Sequence, residues 1–216
     1  MSEINALFQM LMMIEQIVDQ IPDTDADTNS PSAATTDDVP KYSTGVIQFG
    51  LECVGDVAKR HIKELRVAEV GSGNGEFAKF LSTVIGHRVI TIDPLNYNFL
   101  GKPATAPDFP SAYDYRASCQ SEQPLALVLN WPTPNSRDID PFTDKPYDIS
   151  AIEILKPALI FLIYASCGAS GSTQLSEWLE TQDTYIVAER IRKPYVTGSW
   201  FTTVKFEILV LSKKQS

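Results

Sequence analysis

The stretch RVAEVGSGNGEFAKFL, residues 66–81, joins a β-prone run, three glycines at alternate positions and a helical pattern, and it decides the fold. Arg66–Val70 reads as a buried strand and Glu76–Ile85 as the helix that follows it. Between them Gly71 permits a tight turn, Gly73 lets the backbone approach a ligand closely, and Gly75 opens a helix whose free N–H groups face that ligand. The spacing is G-x-G-x-G. A dinucleotide fingerprint would need glycine at 76, where Glu76 stands and would face a pyrophosphate unfavourably. Asp93 closes the next strand candidate, Arg88–Asp93, where an acid can accept both hydroxyls of a ribose.

Working outward, the chain alternates strand and helix. Further strands are expected at about Ala112–Ala117, Ala126–Trp131 and Ala158–Ala165, with helices at about Ile149–Leu155 and Ser172–Glu180. A helical stretch from about Ser43 to Leu65 precedes them. Apolar strands separated by helices imply a mainly parallel sheet covered on both faces. Thr184–Ile191 and Thr202–Leu211 follow one another without room for a helix, so they should pair as a terminal antiparallel hairpin at one edge of the sheet. The fold class is α/β, Rossmann-like.

With the glycine turn, the acid at the second strand's tip and the terminal hairpin in place, residues 66–213 resemble the seven-stranded core of the class I S-adenosylmethionine-dependent methyltransferases. The resemblance implies S-adenosylmethionine as cofactor. Glu69 matches the acid two residues before the first glycine, Gly71, Ser72, Gly73 and Gly75 the loop around the methionine moiety, and Asp93 the ribose ligand, with Pro94 and Leu95 near the adenine. After the third strand only Ser118, Cys119 and Gln120 are offered where the family often has an adenine-contacting acid or amide, so those contacts stay unassigned. At the tip of the fourth strand, Asn130-Trp131-Pro132 supplies the residue types of the Asn/Asp-Pro-Pro-aromatic motif of amino-directed methyltransferases in a different order. The resemblance therefore places catalysis at Asn130, Trp131 and Pro132 and suggests an amino nitrogen as acceptor. A hydroxyl acceptor would instead require a base, for which Asp138, Asp140, Asp144 and Asp148 stand nearby in sequence. A catalytically silent binding or scaffolding protein of the same fold is the alternative.

The rest of the chain sets bounds. Ile4, Leu7, Leu11, Ile14, Val18 and Ile21 form a heptad seam that ends at Pro22, so residues 1–21 should be an amphipathic helix for docking, self-association or partner binding. Residues 22–41, rich in Pro, Ser, Thr and Asp, should be a flexible acidic linker, leaving 42–216 as the methyltransferase-like domain. Of the net charge of −9, residues 1–41 carry eight acids against Lys41, so the remainder is near neutral and neither advertises nor excludes a polyanion. Asp23, Asp25 and Asp27 imitate a calcium loop, but Thr28 and Ala34 stand where it needs Gly and Glu. Cys53, Cys119 and Cys167 are too scattered for a disulfide framework or a CxxC metal site and read as reduced core residues. His61 and His87 lack partners at ligand spacing, so no metal and no Ser-His-Asp chemistry are expected. The loop Cys167–Ser172 is not a nucleophile elbow, since Ser172 replaces the needed glycine. Arg190, Arg192 and Lys193 read as solvated residues on an edge strand. No apolar run reaches the ~18 residues of a membrane span and no basic leader is visible, so a cytoplasmic protein without membrane attachment is expected, its substrate open.

Overall fold

The structure is a computed structural model that describes residues 43–93, 106–119, 121, 123–132, 139–140, 143–166, 170–195 and 204–215. The expected N-terminal helix and linker, and Pro94 and Leu95, lie outside the described residues. Helices α1 (Thr44–Phe49) and α2 (Leu51–His61) occupy the expected helical stretch, separated at Gly50, whose φ of 81° ends one helix and starts the next. Then follow β1 (Arg66–Val70), α3 (Glu76–Ile85), β2 (Val89–Ile92), α4 (Ala112–Ser118) and β3 (Leu125–Asn130). Two short strands, β4 (Ile139–Asp140) and β5 (Lys145–Pro146), pair with each other before α5 (Tyr147–Leu155). The chain continues with β6 (Leu159–Ser166), α6 (Thr173–Thr181), β7 (Tyr185–Tyr195) and β8 (Val204–Lys213).

The main sheet has the order β2-β1-β3-β6-β8-β7. Its first four strands are parallel, and β8 runs antiparallel to both β6 and β7. Among the described residues this is six strands, not the expected seven. The segment expected as the third strand is α4: Ser111 caps it by accepting from the Asp114 N–H at 3.0 Å and donating to the Asp114 carboxylate at 2.6 Å. That reciprocal cap specifies a helix start, and it overrides the β propensity of Tyr113 and Tyr115. The outer edge of β2 is met instead by Phe109, in a single parallel bridge to Ile92. Asp108 secures it by accepting from the backbone N–H and the hydroxyl of Thr91 at 2.9 and 3.1 Å.

Strand alternation sorts the core into two layers. Val67, Val128, Phe161, Ile163 and Ile208 face α2 and α3, meeting Val54, Val57, Phe77 and Leu81. Ala68, Leu127, Leu129, Leu162 and Leu209 face the opposite way, toward Tyr115, Ile152, Leu155 and Leu175. Both faces being covered explains why the strands read as continuous apolar runs. From β1 the chain moves to β2 on one side and later returns to β3 on the other. The crevice at this reversal, beyond the carboxyl ends of the strands, is where open α/β sheets bind ligands.

At the far edge, Arg190 and Arg192 are not merely solvated. Their Nε atoms lie 3.4 and 3.1 Å from the carboxylate of Glu207, which is buried in β8. The Tyr164 hydroxyl donates to the same carboxylate at 3.3 Å, and burial, followed by the Glu207 charge, pushes its pKa up to about 12. Lys193 donates to the backbone carbonyls of Gln48 and Phe49. Cys53 and Cys119 are half-buried rather than core residues. Among the described residues no helix is long and apolar enough to cross a membrane.

Candidate functional site

The glycine turn lies at the switch point. Gly71, Gly73 and Gly75 have φ of 73°, 52° and 74°, all in the left-handed region that side chains other than glycine enter at a cost of roughly 1–2 kcal/mol. The turn is tied to the end of β2: the Gly71 N–H donates to the Ile92 carbonyl at 2.9 Å and the Gly73 N–H to the Asp93 carboxylate at 2.6 Å. Gly75 then caps α3, with Asn74 Oδ1 accepting from the Glu76 N–H at 3.2 Å. Asp93, buried at the tip of β2, thus fixes the shape of the turn.

Glu69 lies just before the turn. It is fully enclosed within β1, and burial drives its pKa up to about 8. The Asn130 amide opposes this, the Asp93 charge adds to it, and the Ala78 N–H in the first turn of α3 opposes it more weakly. One carboxylate oxygen, Oε2, and the buried Ser72 hydroxyl have no hydrogen-bond partner among the described residues. An unsatisfied buried acceptor costs about 1–3 kcal/mol, more when charged, so such atoms beside an open turn are suited to a ligand. A Cβ built on Gly71 or Gly73 would meet nothing within 4 Å, so space lies over the turn. Buried acceptors, left-handed glycines and open space fit the cationic, zwitterionic methionine end of the cofactor that the sequence resemblance implies.

Asn130 ends β3, next to β1. Its Oδ1 accepts from the Ser43 hydroxyl at 2.6 Å, and Ser43 also caps α1 by accepting from the Val46 N–H. Ser43, Asn130 and Glu69 therefore form one polar line from α1 to the glycine turn. Trp131 turns the chain with φ of 55°, held by its N–H to the Ile163 carbonyl at 2.8 Å. Its ring stacks on Phe206 at 5.6 Å. Gly45 packs so closely that a Cβ there would come within 2.9 Å of the Trp131 ring. The Pro132 carbonyl accepts from the Gly171 N–H at 2.6 Å, joining the loops after β3 and β6.

Sequence reading missed Ser43 and the clamp behind the second loop. Asp148, buried at the start of α5, accepts from the Ser172 N–H and hydroxyl, both at 2.8 Å, and from the Ile149 N–H at 2.8 Å. Burial raises its pKa although these bonds oppose the shift. Ser172 in turn caps α6, and Ser170 accepts from the Ala165 N–H at 2.8 Å. Asp140, also buried, accepts from Ser150 at 2.7 Å. Of the four acids near this loop in sequence, two thus anchor the scaffold; Asp138 is outside the described residues. Asp148→Ala would orphan three donors and should destabilise the protein by about 3 kcal/mol, with Asp148→Asn losing less. Urea denaturation of both variants checks this, and an unchanged midpoint in Asp148→Ala would remove the clamp.

No family model matches the sequence, and no curated protein matches it. Among solved structures the chain is similar, at low identity, to several methyltransferases. An rRNA methylase from Streptococcus thermophilus is 16% identical with a TM-score of 0.42, covering 76% of this chain and 97% of its own. A SAM-dependent methyltransferase from Archaeoglobus fulgidus is 12% identical with a TM-score of 0.39, covering 78% and 97%.

Proposed function

We propose that this domain binds S-adenosylmethionine over the glycine turn and transfers its methyl group to an acceptor presented at the tips of β3 and β6, an amino nitrogen being the preferred class. The observation that supports it above others is Glu69, a buried carboxylate with an unpartnered oxygen beside three left-handed glycines at the switch point. The cofactor would supply an electrophilic methyl on a sulfonium with a good thioether leaving group. The protein's task is then binding and alignment. Glu69 and the turn's backbone would hold the methionine end, Ser72 would offer its hydroxyl, and Asp93, while bracing Gly73, would face the ribose. Asn130, Trp131 and Pro132 would form the acceptor wall, where in-line approach at about 3 Å matters more than acid-base help.

The test is calorimetry with S-adenosylmethionine and S-adenosylhomocysteine, both of which are expected to bind. Folded protein that binds neither at millimolar concentration overturns the reading. In a screen of amine, hydroxyl and carboxylate acceptors, a turned-over amine should lose about 10²-fold in rate in Asn130→Ala at nearly unchanged cofactor affinity. Trp131→Ala, which removes a ring already stacked on Phe206, should lower the melting temperature; an unaltered melting temperature with weaker substrate capture would make the ring a substrate platform. Cofactor binding without turnover of any acceptor would support the silent binding protein instead.

A further inference from the structure

At the opposite end of the sheet from the glycine turn lies a cavity of about 520 Å³, within the range of small-molecule sites. It opens where β1, β3 and β6 begin and β8 ends, a strand's length, roughly 16 Å, from the turn. Its lining includes Arg66, Arg116, Lys156 and Lys213, with Tyr115 and Cys119, and no carboxylate among the described residues. In a chain whose residues beyond 41 are near neutral this is a local concentration of positive charge. Arg116, Lys156 and Lys213 make no ion pair among the described residues.

The charges already present do not balance. The carboxyl ends of α4 and α5 adjoin the cavity and supply about half a negative charge each at most. At Cys119 burial raises the thiol pKa, but the Ser121 backbone, the Arg66 guanidinium and the Arg116 charge together bring it below the ordinary value. Arg66 is oriented by contact with the Cys119 sulfur and by the Tyr115 ring, whose centroid is 5.7 Å from the guanidinium carbon. Against four cations, these leave the lining positively charged among the described residues. One donor on the lining residues, Arg66 Nε, is buried without a hydrogen-bond partner among the described residues, and a buried unpaired guanidinium N–H is the kind of group an oxygen-rich anion satisfies.

We propose that this cavity is a second ligand site, for a small phosphorylated molecule whose doubly charged phosphate is held by Arg66, Arg116, Lys156 and Lys213. A phosphate dianion complements the basic lining, and the planar guanidinium of Arg66, fixed by Cys119 and Tyr115, presents the fork that phosphate oxygens accept from. Because its residues are separate from the glycine turn, the site is independent of the cofactor reading.

Inorganic pyrophosphate titrated into the full chain at low salt is the probe. Binding is expected, weakening as salt rises. It should fall about tenfold or more in the double variant Arg116→Gln/Lys156→Asn, whose two exposed positions leave the core intact and whose asparagine suits the φ of 45° at Lys156. Pyrophosphate should also slow alkylation of Cys119 by iodoacetamide while leaving Cys53 unaffected, and the variant should lose that protection. No binding, binding equal in the variant, or equal protection of Cys53 overturns the proposal. So does an RNA oligonucleotide that binds with charge dependence on the same two residues while pyrophosphate does not, which would make the patch a nucleic-acid contact.

Discussion

Gly73→Arg should reduce S-adenosylmethionine affinity by at least about 10²-fold, estimated as the loss of more than 2.7 kcal/mol of contact when the cradle is filled, while leaving the fold in place. Two observations set the sign and the asymmetry. The φ of 52° at Gly73 means that any side chain there pays a backbone penalty of roughly 1–2 kcal/mol, which for a chain of this size lowers the melting temperature by only about 2–8 °C. A Cβ at this position meets no atom of the described residues within 4 Å, so the arginine side chain starts into the space over the turn and not into the core. Gly73→Ala separates the two effects, because it carries the same backbone penalty with almost none of the occlusion. Calorimetry and melting curves on both variants should show similar stabilities and widely different affinities. Wild-type affinity in a folded Gly73→Arg variant would place the cofactor elsewhere.

That experiment probes the part of the molecule that was most legible from residues alone. β1 and α3 fall where the sequence placed them because strand burial, three obligatory glycines and an amphipathic stripe of Phe77, Ala78, Leu81 and Ile85 agree with one another. The expected strand at Ala112–Ala117 is helix α4 because the Ser111-x-x-Asp114 cap outweighs the β propensity of Tyr113 and Tyr115. Trp131 was beyond reach, since a residue before proline is biased toward extended backbone and its φ of 55° accompanies a bond to Ile163 and ring packing on Phe206, both distant in sequence. The same holds for Ser43, which meets Asn130 across 87 residues. Glu69 could be picked out by its place before the first glycine. Its elevated pKa could not, because that comes from burial between the neighbouring strands in the β2-β1-β3 order, with the Asp93 charge adding to the rise and the Asn130 amide opposing it.

Glu69→Gln is expected to change how stability and cofactor binding depend on pH. In the folded protein the Glu69 carboxyl keeps its proton to about pH 8, against an ordinary value of 4.5. Between those limits the native state binds more protons than the unfolded chain, so stability falls as pH rises through this window. The contribution is fully present below pH 4.5 and lost once the pH has passed about 8. Glutamine has the same shape and no charge to bury. The variant should therefore melt at a less pH-dependent temperature and be more stable than the parent at pH 9, measured without ligand. Binding should respond in the opposite sense. A cationic ammonium next to Glu69 favours its charged form, so between pH 5 and 8 binding should expel a proton, seen as a heat that varies with the ionisation enthalpy of the buffer. Glu69→Gln should lose that proton release and bind about tenfold or more weakly, the measure of a buried charge-assisted contact. If parent and variant show the same buffer dependence and the same affinity, Glu69 does not meet the ammonium, and its buried unpartnered oxygen must serve another group.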